Sequence, residues 1–107
     1  MPKIYEFLGI FIFLWSDDHA PIHFHARHQE YEMIIEIKFK DGKPFFSFKS
    51  VKGRKSFPPA KLKQLKKFVH TYYREMVRKY ELFYIYGSKV KSEKITNIKW
   101  KSKKLNI

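Results

Sequence analysis

The chain has 107 residues, 23 Lys and Arg against 10 Asp and Glu, and a formal net charge of +13, a length that suits one domain and excludes two. Eleven Phe, seven Tyr and two Trp supply enough apolar area to exclude disorder in spite of the 31% charged residues. The absence of cysteine excludes disulfides, thiolate catalysis and zinc-finger sites, and it fits a reducing compartment.

The longest apolar run, residues 7–15, is too short to span a bilayer. It also lacks a signal-peptide outline, because Glu6 precedes it, Lys3 is the one positive charge before it, and Ser16, Asp17, Asp18 and His19 follow. A cytoplasmic protein with no membrane partner is expected. Residues 10–15 form a nearly unbroken apolar run between Gly9 and Ser16, which suits a strand covered on both faces. Residues 17–21 read as a turn. A second strand is expected over 22–27 and a third over 31–39, the latter with Tyr31, Met33, Ile35, Ile37 and Phe39 on one face and Glu32, Glu36 and Lys38 on the other. Asp41-Gly42 is a hairpin signal leading to a fourth strand over 44–50.

Residues 51–57, with Gly53, Arg54 and Lys55, form a basic loop ending at Pro58-Pro59, where a proline at the first helical position is favourable. From there the period changes. Leu62, Leu65, Val69, Tyr72, Met76 and Phe83 recur at helical spacing, with Lys61, Lys63, Lys66, Lys67, Arg74, Arg78 and Lys79 between them. The helix is expected to end near Gly87. The fold class that follows is α+β: a small antiparallel sheet of about four strands packed on one long C-terminal helix. Residues 1–88 form the single domain, and 89–107 form a lysine-rich segment, partly extended over 95–100, with a mobile end.

Four of the five histidines lie within ten residues, at His19, His23, His25 and His28. On a strand over this segment, His23 and His25 share one face while Ile22, Phe24 and Ala26 share the other. Three readings stay open. The imidazoles of His19, His23 and His25 suit general acid and base catalysis on a ribose hydroxyl and a leaving oxygen, as a metal-independent ribonuclease requires. Together with Asp18 they also suit a divalent metal such as zinc. Otherwise they are structural, hydrogen-bonded to hold the turn against the sheet.

The residues around these histidines carry a resemblance. The opening Met1-Pro2 and Ile4, the Gly9-Ile10 pair, the run from Asp18 to Arg27, Glu30-Tyr31-Glu32, and Pro58-Pro59-Ala60 with the Leu-rich helix resemble the bacterial family called domain of unknown function 4160. The likeness covers residues 1–85. It implies one half of a two-gene toxin and antitoxin module, this half being the toxin, with a partner from the family called domain of unknown function 2442. The chain departs from the family pattern at Ala20, Ile22 and His28-Gln29, and the last of these replaces a turn glycine by a residue that pays a steric cost at positive φ.

Charge divides the chain. Residues 1–48 hold five Lys and Arg against seven Asp and Glu, a net of −2, and residues 49–107 hold eighteen against three, a net of +15. Such a basic half favours RNA or DNA, or an acidic antitoxin-type partner protein. Arg27, Arg54 and Lys55 are the candidate phosphate-binding residues. Tyr72, Tyr73, Tyr84, Tyr86 and Trp100 lie among the basic residues, where they suit base stacking or, for most of them, core packing. Two functions are expected in competition: an RNA-directed toxin of ribonuclease type, and a non-catalytic binding module resembling a transcription regulator.

Overall fold

The computed structural model describes residues 2–14 and 22–96. The expected turn with Asp17, Asp18 and His19, the strand end at Trp15 and the extended residues around Trp100 lie outside them.

Four strands follow one another as a meander: β2 (Ile10–Leu14), β3 (Ile22–His28), β4 (Tyr31–Lys40) and β5 (Lys43–Ser50). The helix α1 (Pro59–Tyr84) comes next, with Pro59 at its first turn. Two further strands correct the expected count of about four to six among the described residues. β1 (Lys3–Phe7) pairs antiparallel with β2, and β6 (Glu93–Ile95) pairs parallel with β1, giving the order β5-β4-β3-β2-β1-β6. Both additions have a physical reason for escaping notice. The register shifts between Lys3 and Tyr5, so Ile4 and Tyr5 are both buried and the alternation that marks a strand is broken, as a β-bulge requires. β6 has only three residues and finds its partner from the far end of the chain.

Three hairpins, β1–β2, β3–β4 and β4–β5, have two-residue turns. Leu8 and Gly9 take φ of 49° and 78°, and Asp41 and Gly42 take 53° and 77°, the positive pair that matches the strand twist. Between β3 and β4 the turn is Gln29-Glu30, and Gln29 itself takes φ of 55°. The turn therefore survives the loss of glycine.

One face of the sheet packs on α1. Phe7, Ile10, Ile12, Leu14, Phe24, Ala26, Met33, Ile35 and Ile37 from the sheet meet Leu65, Phe68, Val69 and Met76 from the helix. Phe68 lies parallel to Phe7 with 3.8 Å between ring centres and edge-on to Tyr5 at 5.2 Å. Side chains of this size each contribute roughly 2–3 kcal/mol when buried. Tyr72, Tyr73 and Tyr84 pack against the same core, whereas Tyr86 is exposed. After Tyr84 the chain folds back, with Gly87 at φ of 66° and the Ser88 amide donating to the Leu82 carbonyl at 2.8 Å. No helix among the described residues is long and apolar enough to cross a membrane.

A polar clamp joins α1 to β6. The Tyr5 hydroxyl donates to Glu75 at 3.2 Å, and Lys79 lies over the Tyr5 ring, pairs with Glu93 at 2.9 Å and donates to the Lys91 carbonyl at 2.9 Å. Burial, and then the charges of Glu75 and Glu93, push the Tyr5 hydroxyl pKa well above the usual tyrosine range.

Candidate functional site

The two-residue turn at Gln29-Glu30 fixes which residues of β3 and β4 face each other: Arg27 opposite Glu32, His25 opposite Ile34, and His23 opposite Glu36. Because side chains alternate along a strand, all six point away from the face that carries Phe24, Ala26, Met33 and Ile35. The histidines and acids thus stand on the sheet face opposite α1. His28, of opposite parity to Arg27, is on the helix side, where it stacks 6.2 Å from Tyr31 and its Nδ1–H donates to the Gly9 carbonyl at 2.9 Å.

Glu32 is the centre of the cluster. One carboxylate oxygen accepts from His25 Nδ1 at 2.5 Å, and the other lies 3.4 Å from both Arg27 Nε and Arg54 Nε. His23, His25 and Glu32 are each about 5% exposed, while the Arg27 and Arg54 side chains are 44% and 43% exposed. A carboxylate this deep must be compensated to be tolerated, and an imidazole with two guanidinium groups supplies the compensation. Since a carboxylate can only accept, His25 Nδ1 carries a proton, and in the neutral ring the lone pair is on Nε2. Arg27 also lies over the Phe13 ring at 5.3 Å, and Glu36 pairs with Lys49 at 3.0 Å.

Arg54 arrives from the basic loop. The Glu32 amide donates to the Lys55 carbonyl at 2.9 Å, a short parallel bridge joins Tyr31 to Lys55, and Ser50 and Ser56 share a hydroxyl bond at 2.6 Å. These bonds lay residues 51–57 along the open side of β4. Lys55 contributes its backbone carbonyl here, and its side chain is exposed.

The fold therefore brings together His23, His25, Arg27 and Arg54, and it separates them from the helix lysines, which belong to the other side of the sheet. Asp18 and His19 lie outside the described residues. Among the described residues no three His, Asp or Glu side chains are grouped so as to hold a metal ion. Glu32 and Glu36 escaped the list of candidate residues, although the signal was present. Once the Gln29-Glu30 turn is taken as two residues, counting outward from it puts a carboxylate opposite Arg27, diagonal to His25, and another opposite His23.

A comparison with curated proteins and a comparison with solved structures both return no match. A family model, described as a domain of unknown function (DUF4160), matches residues 9–81, a span that contains β2 to β5, the basic loop and all but the last turn of α1. It covers more than half of the chain and every described residue of the histidine and arginine cluster, so the chain belongs to the DUF4160 family.

Proposed function

We propose that this protein is the toxin half of a toxin–antitoxin pair and acts on RNA at the cluster of His25, Glu32, Arg27 and Arg54. The observation that carries the reading is the shared carboxylate of Glu32, which orients an imidazole with one oxygen and anchors two half-exposed guanidinium groups with the other. A guanidinium has five N–H donors, and its approach to Glu32 through Nε engages one of them. Arg27 and Arg54 hold the phosphate, assisted by Lys55. His25 takes the proton of the adjacent ribose 2′-hydroxyl, the 2′-oxygen attacks phosphorus, and the 5′-oxygen leaves with a proton from a second imidazole, His23 or His19. The basic half of the chain attracts the polyanion, and it equally attracts an acidic antitoxin-type partner that silences the protein.

A second reading is favoured by the burial of His23, His25 and Glu32. In it the cluster pins the basic loop to the sheet, and the protein binds nucleic acid or its partner without catalysis.

Growth of bacteria expressing the protein, together with cleavage of labelled RNA by the purified chain, separates the readings. Catalysis requires products ending in a 2′,3′-cyclic phosphate, lost in His25→Ala and reduced at least tenfold in Arg27→Ala/Arg54→Ala. Arg27→Lys/Arg54→Lys, which keeps two positive charges beside Glu32 and loses only the guanidinium forks, keeps the test sound should either alanine variant unfold, and it too should lower cleavage. Undiminished growth inhibition and cleavage in the folded variants would sink the enzymatic reading. Cleavage abolished by a chelator and restored by zinc would assign the histidines, with Asp18, as ligands of a divalent metal instead.

A further inference from the structure

The sheet has two outer edges of unequal character. β6 closes one with three residues, while β5 forms the other with eight. Pairing across the Asp41-Gly42 turn determines which backbone groups of β5 face outward. Lys40 and Lys43 close the turn and form a hydrogen-bonded pair, so Phe45, Ser47 and Lys49 also direct their N–H and C=O groups towards β4. Phe46, Phe48 and Ser50 direct theirs away from the sheet, as does Pro44, which has no N–H to offer. The Glu32 amide, directed towards the β5 side of β4, confirms the phase by bonding to Lys55. One end of the edge is thus blunted by proline, and the stretch 46–50 presents a row of donors and acceptors.

That stretch is set in apolar and basic surroundings. Pro44, Phe45, Phe46, Phe48, Lys66 and His70 line a groove between the edge and α1. His70 is edge-on to Phe46 at 4.8 Å, and Lys66 lies 5.7 Å over the Phe48 ring. Phe45 is 54% exposed on the opposite face of the strand. Lys43, Lys63, Lys66 and Lys67 are exposed at or near the groove, and the N-terminal two thirds of α1, residues 59–74, contains no acid. Lysines and a proline on an edge strand bar a second copy of the same chain. They do not bar a strand of opposite charge.

We propose that the outer edge of β5 is a docking site for an extended acidic polypeptide segment, which adds as a seventh strand along Phe46, Phe48 and Ser50. Its acidic side chains meet the lysines, and its alternate apolar side chains enter the groove beside Phe46 and Phe48. Main-chain pairing supplies the affinity and the groove the selectivity, as in other cases of strand addition. The inference is independent of the RNA chemistry at Glu32 and stands or falls without it.

The test uses the full chain and a blocked peptide of about eight residues alternating Glu and Val, a length typical of strands. Hydrogen exchange followed by NMR should slow at least tenfold at the amides of Phe46, Phe48 and Ser50 when the peptide is added. The same peptide N-methylated at every amide keeps its charge and should bind at least tenfold more weakly. Lys43→Glu/Lys66→Glu, which changes only exposed side chains, should weaken the unmodified peptide by a similar factor. Equal binding of the N-methylated peptide overturns the proposal, because charge alone would then explain the contact. Protection of the three amides by an oligoribonucleotide and not by the peptide overturns it in favour of a nucleic-acid surface. Protection that rises with protein concentration in the absence of peptide overturns it in favour of self-pairing.

Discussion

His25 and Glu32 meet diagonally across β3 and β4, with 2.5 Å between Nδ1 and the carboxylate oxygen. Removing the acid leaves an imidazole and two guanidinium groups facing one another with no carboxylate between them. Glu32→Ala should cost about 3 kcal/mol, the usual penalty for breaking one side of a buried charged pair. Glu32→Gln, which still accepts from Nδ1 and keeps the volume, should cost about half as much. Urea denaturation measures both, and equal losses in the two variants would show that the charge alone, and neither volume nor the retained acceptor, holds the cluster.

Gln29 occupies a left-handed conformation, φ 55°, with an exposed side chain. Glycine relieves the steric cost of that conformation, of order 1–2 kcal/mol, and returns part of the gain as unfolded-state entropy. Gln29→Gly should therefore stabilise the protein by roughly 0.5 kcal/mol, read as a small rise in Tm. A fall in Tm would mean that the Gln29 side chain contributes more than its exposure suggests.

The Tyr5 hydroxyl, buried beneath α1 against Glu75 and Glu93, has its pKa raised in the folded state. A raised pKa means that the unfolded chain releases this proton first, near pH 10. The contribution to stability is thus complete below about pH 10 and is lost as pH climbs towards the folded-state value. Tyr5→Phe should lose about 1 kcal/mol at pH 7 with the Glu75 bond, and its stability should fall less steeply above pH 10 than that of the unaltered chain. Denaturation midpoints at pH 8, 9.5 and 11 test this, and parallel curves for the two proteins would refute it.

Lys79 touches the Tyr5 ring, the Lys91 carbonyl and the Glu93 carboxylate at once. Lys79→Ala should free β6 while leaving β2 to β5 intact. Hydrogen exchange should accelerate at least tenfold in residues 93–95, with little change at Ile35 or Phe24. Uniform acceleration across the sheet would show instead that the clamp supports the whole fold.

Local pattern made the meander and the helix legible in the sequence. Met33, Ile35 and Ile37 alternate with Glu32 and Glu36 as a half-buried strand demands, and Asp41-Gly42 marks its turn. What escaped was whatever depends on partners distant in the chain. Ile4 and Tyr5 hide a strand because the bulge buries neighbours in succession, and the pairing of Tyr5 with Glu93 has no local signature at all. At the candidate site, His23, His25 and Arg27 stood out by residue type, but Glu32 gains its importance only from register and from the loop that delivers Arg54.

The pairing of β1 with β6 also bears on how the chain is made. β1 is made before β2, its antiparallel partner, yet its outer edge cannot be covered until helix and basic loop have been synthesised and residues 93–95 have emerged. Through that interval the nascent chain has an uncovered strand edge at β1, a state open to wrong pairing with neighbouring chains. The short strand β6 therefore acts as a seal set after the rest of the described sheet has been made. Its charged residues Glu93 and Lys94 make it a poor template for pairing a stranger's strand in its turn.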